Sequence, residues 1–310
     1  MSASEDRVAK YYTKLKWNLK AIHYSLTAVE LLMDLVQKAA KCLAGGIERY
    51  LSYKGCQQPL SFMDKKVLYR HLHSIKSLIK VKDITDLSYE RVGGNNDGGY
   101  VMVRGLTYKV PEKIAYSFGI GDDPGWDLEM AKRGWQVYMY DHTIDPQSLK
   151  FNDSHCHFFP IGVCGEIRME NCKTIGELLQ DNGHENQRNM ILKMDIEGCE
   201  WEVLRDLNED VLSQFSQIVL EMHELTDLKI APSVETVLEK LSHTHEPVHI
   251  HANNCSCVVS IADMSVPASL EVTYLRKDQA TFKPSKRFFP TELDQSGDQE
   301  RLDIDLGYWS

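Results

Sequence analysis

Short apolar runs alternate with amphipathic segments along the middle of the chain. Met190–Met194 is one such run, and its composition is typical of a strand that is covered on both faces. Gly198 then marks a sharp turn, and the residues from Trp201 to Leu204 begin one face of a helix. The pattern predicts a buried strand, a glycine turn and a helix over residues 189–204.

The same alternation extends from residue 113 to residue 241 and predicts an α/β fold. The predicted strands are Lys113–Phe118, Trp135–Tyr140, His157–Val163, Met190–Met194 and Gln217–Met222. The predicted helices between and after them are Gly125–Arg133, Cys172–Asp181, Trp201–Leu212 and Ser233–Leu241. Strands that alternate with helices indicate βαβ units and a mostly parallel sheet. Two late strands, Cys257–Ala262 and Leu270–Leu275, follow one another without a helix and predict an antiparallel hairpin at one edge.

The two ends of the chain differ from this central part. Residues 1–82 carry apolar side chains at helical spacing, interrupted at Gly45-Gly46, and predict an N-terminal helical region. The residues after 280 are polar until Leu302–Trp309, which we expect to dock back onto the domain. The predicted organisation is a helical region over 1–82, an α/β domain over 83–280 and a packed tail over 281–310.

Composition and charge narrow the classes of function. The chain has 310 residues and a net charge of −10, which argues against binding a nucleic-acid backbone as its main task. Its eight cysteines include no CxxC pair, so we expect free thiols in a reducing compartment. The N-terminus lacks the apolar core of a signal peptide, and no early stretch is apolar enough to span a membrane. The sequence therefore predicts a soluble, cytoplasmic protein, and it makes no prediction of the oligomeric state.

A glycine turn and an acid indicate a cofactor site. Gly119 and Gly121 follow the first predicted strand of the sheet, where backbone can approach a ligand closely. Asp141 lies twenty residues beyond Gly121 at the end of the next strand, where a carboxylate can accept hydrogen bonds from a ribose diol. Pro124 stands where a dinucleotide-binding GxGxxG motif has its third glycine. S-adenosylmethionine, which needs only one mononucleotide half, therefore fits better than a nicotinamide cofactor.

Two further segments carry candidate side chains. Arg91–Val103 contains two glycine pairs around Asp97, and this is either turn chemistry or a close backbone approach to a ligand. Asp195 and Glu197 directly follow the strand at 190–194, and ligands of open α/β sheets collect outside the carboxyl ends of the strands. The alternative for these two carboxylates is a helix N-cap and a surface acid.

Four segments of the sequence resemble a known family. They are YSFGIGDDPGWDLEMAKRGWQVYMYD, ILKMDIEGCEWEVL, IVLEMHEL and LEVTYLR. They are similar to the FkbM-related methyltransferases, and within these to the methyltransferase-like-protein-24 type, over roughly residues 85–310. The resemblance implies a Rossmann-like class I enzyme that uses S-adenosylmethionine, commonly on hydroxyl oxygens of sugars or natural products.

The resemblance also implies roles for individual residues. Gly119 and Gly121 would face the methionine part of the cofactor, Asp141 the ribose, and Asp195 the centre of methyl transfer. The acid that usually precedes the first glycine is replaced by Ser117-Phe118 in this chain. Contacts to the amino group of the cofactor would then come from Asp122 or Asp97.

Methyl transfer to a hydroxyl requires removal of its proton or stabilisation of the alkoxide. In one hypothesis His223 is the general base, and Asp195 and Glu197 are the other candidate catalytic residues. In the other, Asp195, Glu221 and His223 hold a divalent cation, with Asn253 as a further ligand. His249 and His251 share one strand face, and we interpret that pair as structural.

The sequence thus favours an O-methyltransferase with a small-molecule or glycan acceptor. Three alternatives remain open. The same fold can serve as a non-catalytic binding module, as a methyltransferase acting on a protein or peptide, or as an enzyme of another class such as a nicotinamide enzyme.

Overall fold

The computed structural model describes residues 62–106, 113–147, 149, 153–167 and 169–309. The helices predicted before residue 62 lie outside the described residues. The described helices are α1 (Phe62–Leu78), α2 (Gly125–Lys132), α3 (Ile175–Asp181), α4 (Glu200–Asp206), α5 (Glu209–Leu212) and α6 (Ala231–Thr244). None of these helices has the length and apolar character required to cross a bilayer.

The described residues also form seventeen strands, which lie between and after the helices. Those of the central sheet are β4 (Ile114–Phe118), β5 (Gln136–Tyr140), β6 (Cys156–Phe159), β9 (Met190–Met194), β10 (Phe215–Met222), β11 (His245–Ala252) and β14 (Leu270–Arg276). The others are β1 (Lys82–Ile84), β2 (Ser88–Val92), β3 (Tyr100–Arg104), β7 (Gly162–Val163), β8 (Cys172–Lys173), β12 (Val258–Ile261), β13 (Met264–Pro267), β15 (Phe282–Pro284), β16 (Phe288–Phe289) and β17 (Gly307–Tyr308).

The central sheet has the strand order β11-β14-β10-β9-β4-β5-β6. Within the sheet, the adjacent strands from β10 to β6 pair in parallel, while β14 is antiparallel to both β10 and β11. The prediction of a Rossmann-like, mostly parallel sheet with an antiparallel pair at one edge is therefore confirmed. The order reverses at β4, which lies between β5 and β9.

The predicted partners within that antiparallel pair were wrong. Val258–Ile261 pairs with Met264–Pro267 in a separate small hairpin, which turns at Ala262 with a left-handed φ of 54°. Leu270–Arg276 is buried at every position and lies between two strands of the central sheet. A strand without an exposed face cannot serve as an outer edge, because its apolar side chains need cover on both sides.

Two other predicted elements are divided in the structure. The predicted strand His157–Val163 forms two short strands, because Pro160 separates β6 from β7. The predicted helix Trp201–Leu212 is interrupted at Leu207, which is extended with ψ 131°. Asn208 then caps the next helix by accepting a hydrogen bond of 2.8 Å from the backbone N–H of Asp210.

The sheet is covered on both faces. Tyr116 and Phe118 of β4 belong to a core cluster that includes residues of α1, α3, α4 and α6. Ala115, on the opposite face of the same strand, belongs to a second cluster with residues of α2 and of the β2–β3 hairpin. The loops at the carboxyl ends of these strands build the candidate site.

Candidate functional site

A cavity of about 520 Å³ opens at the carboxyl ends of the strands where the order of the sheet reverses. Its lining comes from residues 96–98, 119–123, 140–143, 162–163 and 195–197, with Met169, Lys193 and Cys199. The structure thus brings Gly119, Gly121, Asp122, Asp141, Asp97, Asp195 and Glu197 to one cavity. Glu221 and His223 lie beside Asp195 at the end of β10.

Gly119 makes the closest backbone approach in this cavity. Its φ is +76°, and a Cβ atom placed there would lie 1.6 Å from the carbonyl oxygen of Asp195. The backbone N–H of Asp195 in turn donates a hydrogen bond of 3.0 Å to the carbonyl of Phe118. Any side chain at Gly119 would force the ends of β4 and β9 apart, so this position requires glycine. Gly121 has a φ of +58° and open space where a Cβ would be, so backbone is exposed to the cavity there.

Asp141 is bound by the chain itself. Its Oδ2 accepts hydrogen bonds from the backbone N–H groups of Ile120 (2.9 Å) and Gly121 (3.1 Å). Its Oδ1 accepts from the backbone N–H and the hydroxyl of Thr143, at 2.8 and 2.6 Å. Burial would raise the pKa of Asp141, but these hydrogen bonds outweigh it and lower the pKa. Both oxygens have two partners, so Asp141 holds the glycine turn in place.

Asp195 lies at the end of β9 beside a buried lysine and a tyrosine. The hydroxyl of Tyr100 donates a hydrogen bond of 3.1 Å to Asp195 Oδ2, and Lys193 Nζ lies 3.8 Å from the same oxygen. Lys193 Nζ also donates to the carbonyl oxygen of Gly119. Burial raises the pKa of Asp195 to about 7, although Lys193 acts in the opposite direction. A carboxyl group with this pKa can both hold and release a proton near neutrality.

His223 lies between carboxylates on both sides of its ring. Nδ1 is 3.2 Å from Glu200 Oε1, and Nε2 is 3.4 Å from Glu221 Oε1. Burial would lower the pKa of His223, but the hydrogen bonds and charges of Glu200 and Glu221 raise it to about 11. The imidazole is therefore protonated at neutral pH, and Glu221 has a lowered pKa in return.

Three donor atoms around His223 come close to one another. One ligand atom each of Asp195, Glu197 and His223 lies within 4.8 Å of the others. Glu221, a predicted ligand of the cation site, accepts hydrogen bonds from Asn253 (2.6 Å) and Ser269 (3.2 Å).

The exposed acids of the site have different surroundings. Glu197 has a left-handed φ of +57°, and its side chain is 65% exposed. Asp122 lines the cavity and is exposed. Asp97 is also exposed and accepts a hydrogen bond from the N–H of Gly98, and its pKa is raised by partial desolvation and by the charges of Glu221 and Glu197.

Sequence reasoning missed three residues of this site. Lys193 stands within an apolar strand, and Tyr100 ends a glycine-rich segment, so neither carried a catalytic motif. Glu200 is fully buried and accepts hydrogen bonds from the N–H groups of Ile196 and Gly198, at 2.8 and 3.0 Å. Its only signal was an acid in the first turn of a helix, where carboxylates are common.

Comparison with known proteins defines the class of this domain. Residues 97–247 match the family model described as the methyltransferase FkbM domain. The chain is also 31% identical over 136 residues to the rat protein "Probable methyltransferase-like protein 24", covering 38% of this chain and 36% of that protein. Its human counterpart of the same name is 32% identical over 123 residues, covering 35% of this chain and 32% of that protein.

These matches confirm the resemblance of the chain to the FkbM-related methyltransferases that is seen in the sequence. The chain spans about a third of the length of the curated relatives that it matches.

Two solved structures of a 16S rRNA (adenine(1408)-N(1))-methyltransferase from Catenulisporales acidiphilia are distantly similar. One mutant is 10% identical, with 53% of this chain and 88% of that chain covered and a TM-score of 0.28. Another mutant, solved with cosubstrate SAM, is 12% identical, with 61% and 97% covered and a TM-score of 0.27. Similarity at this level supports no statement about function, and the class assignment rests on the strand order and the family match.

Proposed function

We propose that the protein is an S-adenosylmethionine-dependent methyltransferase that methylates a hydroxyl oxygen of a sugar or another small metabolite. The supporting observation is the cavity at the reversal of strand order, where the Gly119 turn, Asp141 and Asp195 meet. Its volume of about 520 Å³ lies within the range of small-molecule sites.

The residues of the cavity fit this cofactor. Gly121 exposes backbone without a side chain, Gly119 allows the close approach of the two loops, and Asp141 fixes the turn between them. Asp97 and Asp122 supply carboxylates for an ammonium group, and the acidic lining suits a positively charged sulfonium. When bound, S-adenosylmethionine supplies a methyl group that is already activated, so the protein chiefly aligns the reactants and excludes water.

Asp195 is a better general base than His223. A protonated imidazole has no lone pair for a proton, and the carboxylates on both sides keep His223 protonated. Asp195, with a pKa raised to about 7 by burial, is ionised in about half of the molecules at that pH. In this proposal Asp195 accepts the proton of the acceptor hydroxyl, and His223 holds the neighbouring carboxylates in place.

A divalent cation is the second hypothesis for activating the hydroxyl. The converging donors of Asp195, Glu197 and His223 favour it. His223 would first have to release the proton that its carboxylate partners stabilise, so binding would be weaker at low pH. Turnover that survives excess EDTA would eliminate the cation hypothesis. Loss of activity with EDTA and its recovery with Mg²⁺ or Mn²⁺ would instead favour a metal ion over Asp195 as the group that activates the hydroxyl.

The proposal is tested by calorimetric titration with S-adenosylmethionine and S-adenosylhomocysteine, followed by transfer of a labelled methyl group. The acceptor panel contains neutral sugars, hydroxylated small metabolites and a peptide mixture. We expect micromolar binding of both nucleosides and label on a hydroxyl oxygen. Absence of binding at millimolar concentration would refute the cofactor assignment, and label confined to peptides would refute the acceptor class.

A further inference from the structure

Lys193 is a buried charge that the proposed chemistry does not use. It is the fourth of the five residues of β9, is 5% exposed, and stands in an otherwise apolar strand. Burying an ammonium group is costly unless nearby acceptors and opposite charges compensate for the lost hydration. We therefore expect hydrogen-bond acceptors or opposite charges close to the ammonium group of Lys193.

The partners of Lys193 belong to the two loops that define the cavity. Its Nζ donates a hydrogen bond to the carbonyl of Gly119, in the turn after β4. The same atom lies 3.8 Å from Asp195 Oδ2, after β9, and 5.8 Å from the centroid of the Tyr100 ring. One ammonium group thus reaches the proposed cofactor turn and the proposed base together.

These contacts add to a backbone link between the same loops. The N–H of Asp195 donates to the carbonyl of Phe118, and Gly119 lies against the carbonyl of Asp195. The backbone link does not restrain the direction of the Gly119 carbonyl or of the Asp195 carboxylate. Lys193 is the group that contacts both of these oxygens.

We propose that Lys193 is a positioning residue of the methyl-transfer site, whose ammonium group holds the Gly119 carbonyl and the Asp195 carboxylate in a constant relation. This inference rests on the proposed function. In-line transfer depends on the alignment of donor and acceptor within fractions of an ångström, and small displacements reduce the rate strongly. Lys193 keeps the turn that would carry the donor aligned with the carboxylate that would activate the acceptor.

If Lys193 served only to stabilise the fold, its replacement would lower the melting temperature. A positioning role predicts no such loss. Replacing a buried charged group by an apolar side chain of similar volume is often neutral or stabilising. Methionine has nearly the length of lysine and would complete the apolar run of β9. We therefore expect Lys193→Met to fold with an unchanged or higher melting temperature and to bind S-adenosylhomocysteine more weakly.

The experiment compares Lys193→Met, Lys193→Gln and Lys193→Arg with the wild type. Lys283→Met is the matched control, because Lys283 is exposed on β15 outside the cavity. The dissociation constant of S-adenosylhomocysteine is measured by calorimetry, and amide hydrogen exchange of residues 118–122 is measured without ligand. Loss of a charge-assisted hydrogen bond predicts about tenfold weaker binding in the Met variant.

Each result bears on the inference. We expect faster exchange of residues 118–122 in the Met and Gln variants, with recovery of both affinity and protection in the Arg variant. Wild-type affinity and exchange in the Met and Gln variants would overturn the proposal, as would an Arg variant as weak as the Met variant. If the wild type itself does not bind S-adenosylhomocysteine, the proposed function fails, and the exchange of ligand-free residues 118–122 still decides the role of Lys193.

Discussion

At the scale of single residues, the site depends on the close approach of Gly119 to Asp195, which leaves no room for a side chain at residue 119. A Cβ atom at Gly119 would lie 1.6 Å from the carbonyl oxygen of Asp195, and the φ of +76° is strained for any other residue. We expect Gly119→Ala to lower the free energy of unfolding by about 3 kcal/mol, measured by urea denaturation. Binding of S-adenosylhomocysteine should also be lost, because the ends of β4 and β9 must separate.

Gly134→Ala separates backbone strain from steric overlap. Gly134 has a similar φ of +81°, but nothing lies within 4 Å of its added Cβ. Strain alone should cost about 1 kcal/mol there and leave ligand affinity unchanged. Equal losses of stability in the two variants would contradict the close approach described for Gly119.

The Asp195 carboxylate should be required for activity, although its burial lowers the stability of the fold at neutral and alkaline pH. Burial raises its pKa from 3.8 to about 7, so the folded state binds its proton more tightly than the unfolded state does. This group therefore stabilises the fold less as the pH rises from about 4 to 7. We expect Asp195→Asn to have a higher melting temperature than the wild type at pH 8 and no measurable methyl transfer.

The pH profile of the wild type provides an independent check on Asp195. If its carboxylate accepts the proton, kcat/KM should rise with pH and level off above an apparent pKa near 7. The burial-driven stability difference between wild type and Asp195→Asn should shrink below pH 4. A profile that is flat from pH 5 to 9 would remove Asp195 from the role of base.

Local motifs made part of the site predictable. Gly119, Asp141 and Asp195 could be named because each follows a recognisable strand. The protonation of His223 could not be predicted, because it depends on Glu200, more than twenty residues earlier in the chain. The same holds for Asp141, whose partners in the glycine turn only meet it once β4 and β5 pair.

At the scale of elements, periodicity identified the parallel strands but not every neighbour. The run Met190–Met194 was predicted with the bounds that the structure has. The position of Leu270–Arg276 between β10 and β11 was missed, since an apolar strand pattern does not specify which strands lie beside it. The interruption at Leu207 was missed because the apolar spacing of Trp201–Leu212 continues through it.

The contribution of the contact between Trp309 and α1 to stability can be tested. Trp309 is 2% exposed, and its indole N–H donates a hydrogen bond of 2.9 Å to the carbonyl of Ile79, just after α1. Lys76 Nζ lies 4.7 Å from the centre of the Trp309 ring. Trp309→Ala should lower the free energy of unfolding by about 3–5 kcal/mol, because it empties a large core volume.

Leu302→Ala is the matched control in the same segment, because Leu302 is 94% exposed. Its effect should stay within about 0.5 kcal/mol by urea denaturation. If Trp309→Ala were as mild as Leu302→Ala, the end of the chain would contribute little to the core.

At the scale of the whole molecule, two buried histidines join the C-terminal segment to the edge strand of the sheet. His249 Nε2 lies 2.8 Å from Asp294 Oδ1, and His251 Nε2 lies 3.1 Å from both carboxylate oxygens of Asp303. His251 Nδ1 also contacts Glu271 of the neighbouring strand at 3.2 Å. His249 and His251 thus both have protein partners.

The His251 pairs should make the stability of the fold decrease at alkaline pH. Burial would lower the pKa of His251, but Asp303 and Glu271 raise it from 6.5 to about 10. The stabilisation is complete below pH 6.5, where the unfolded chain is also protonated, and is lost as the pH rises towards 10. We expect the free energy of unfolding to fall by about 2 kcal/mol between pH 7 and 9.5 in urea titrations of the wild type. His251→Gln should be less stable at pH 7 but show a smaller decrease over the same interval, whereas equal decreases in both proteins would show that another group controls the alkaline loss.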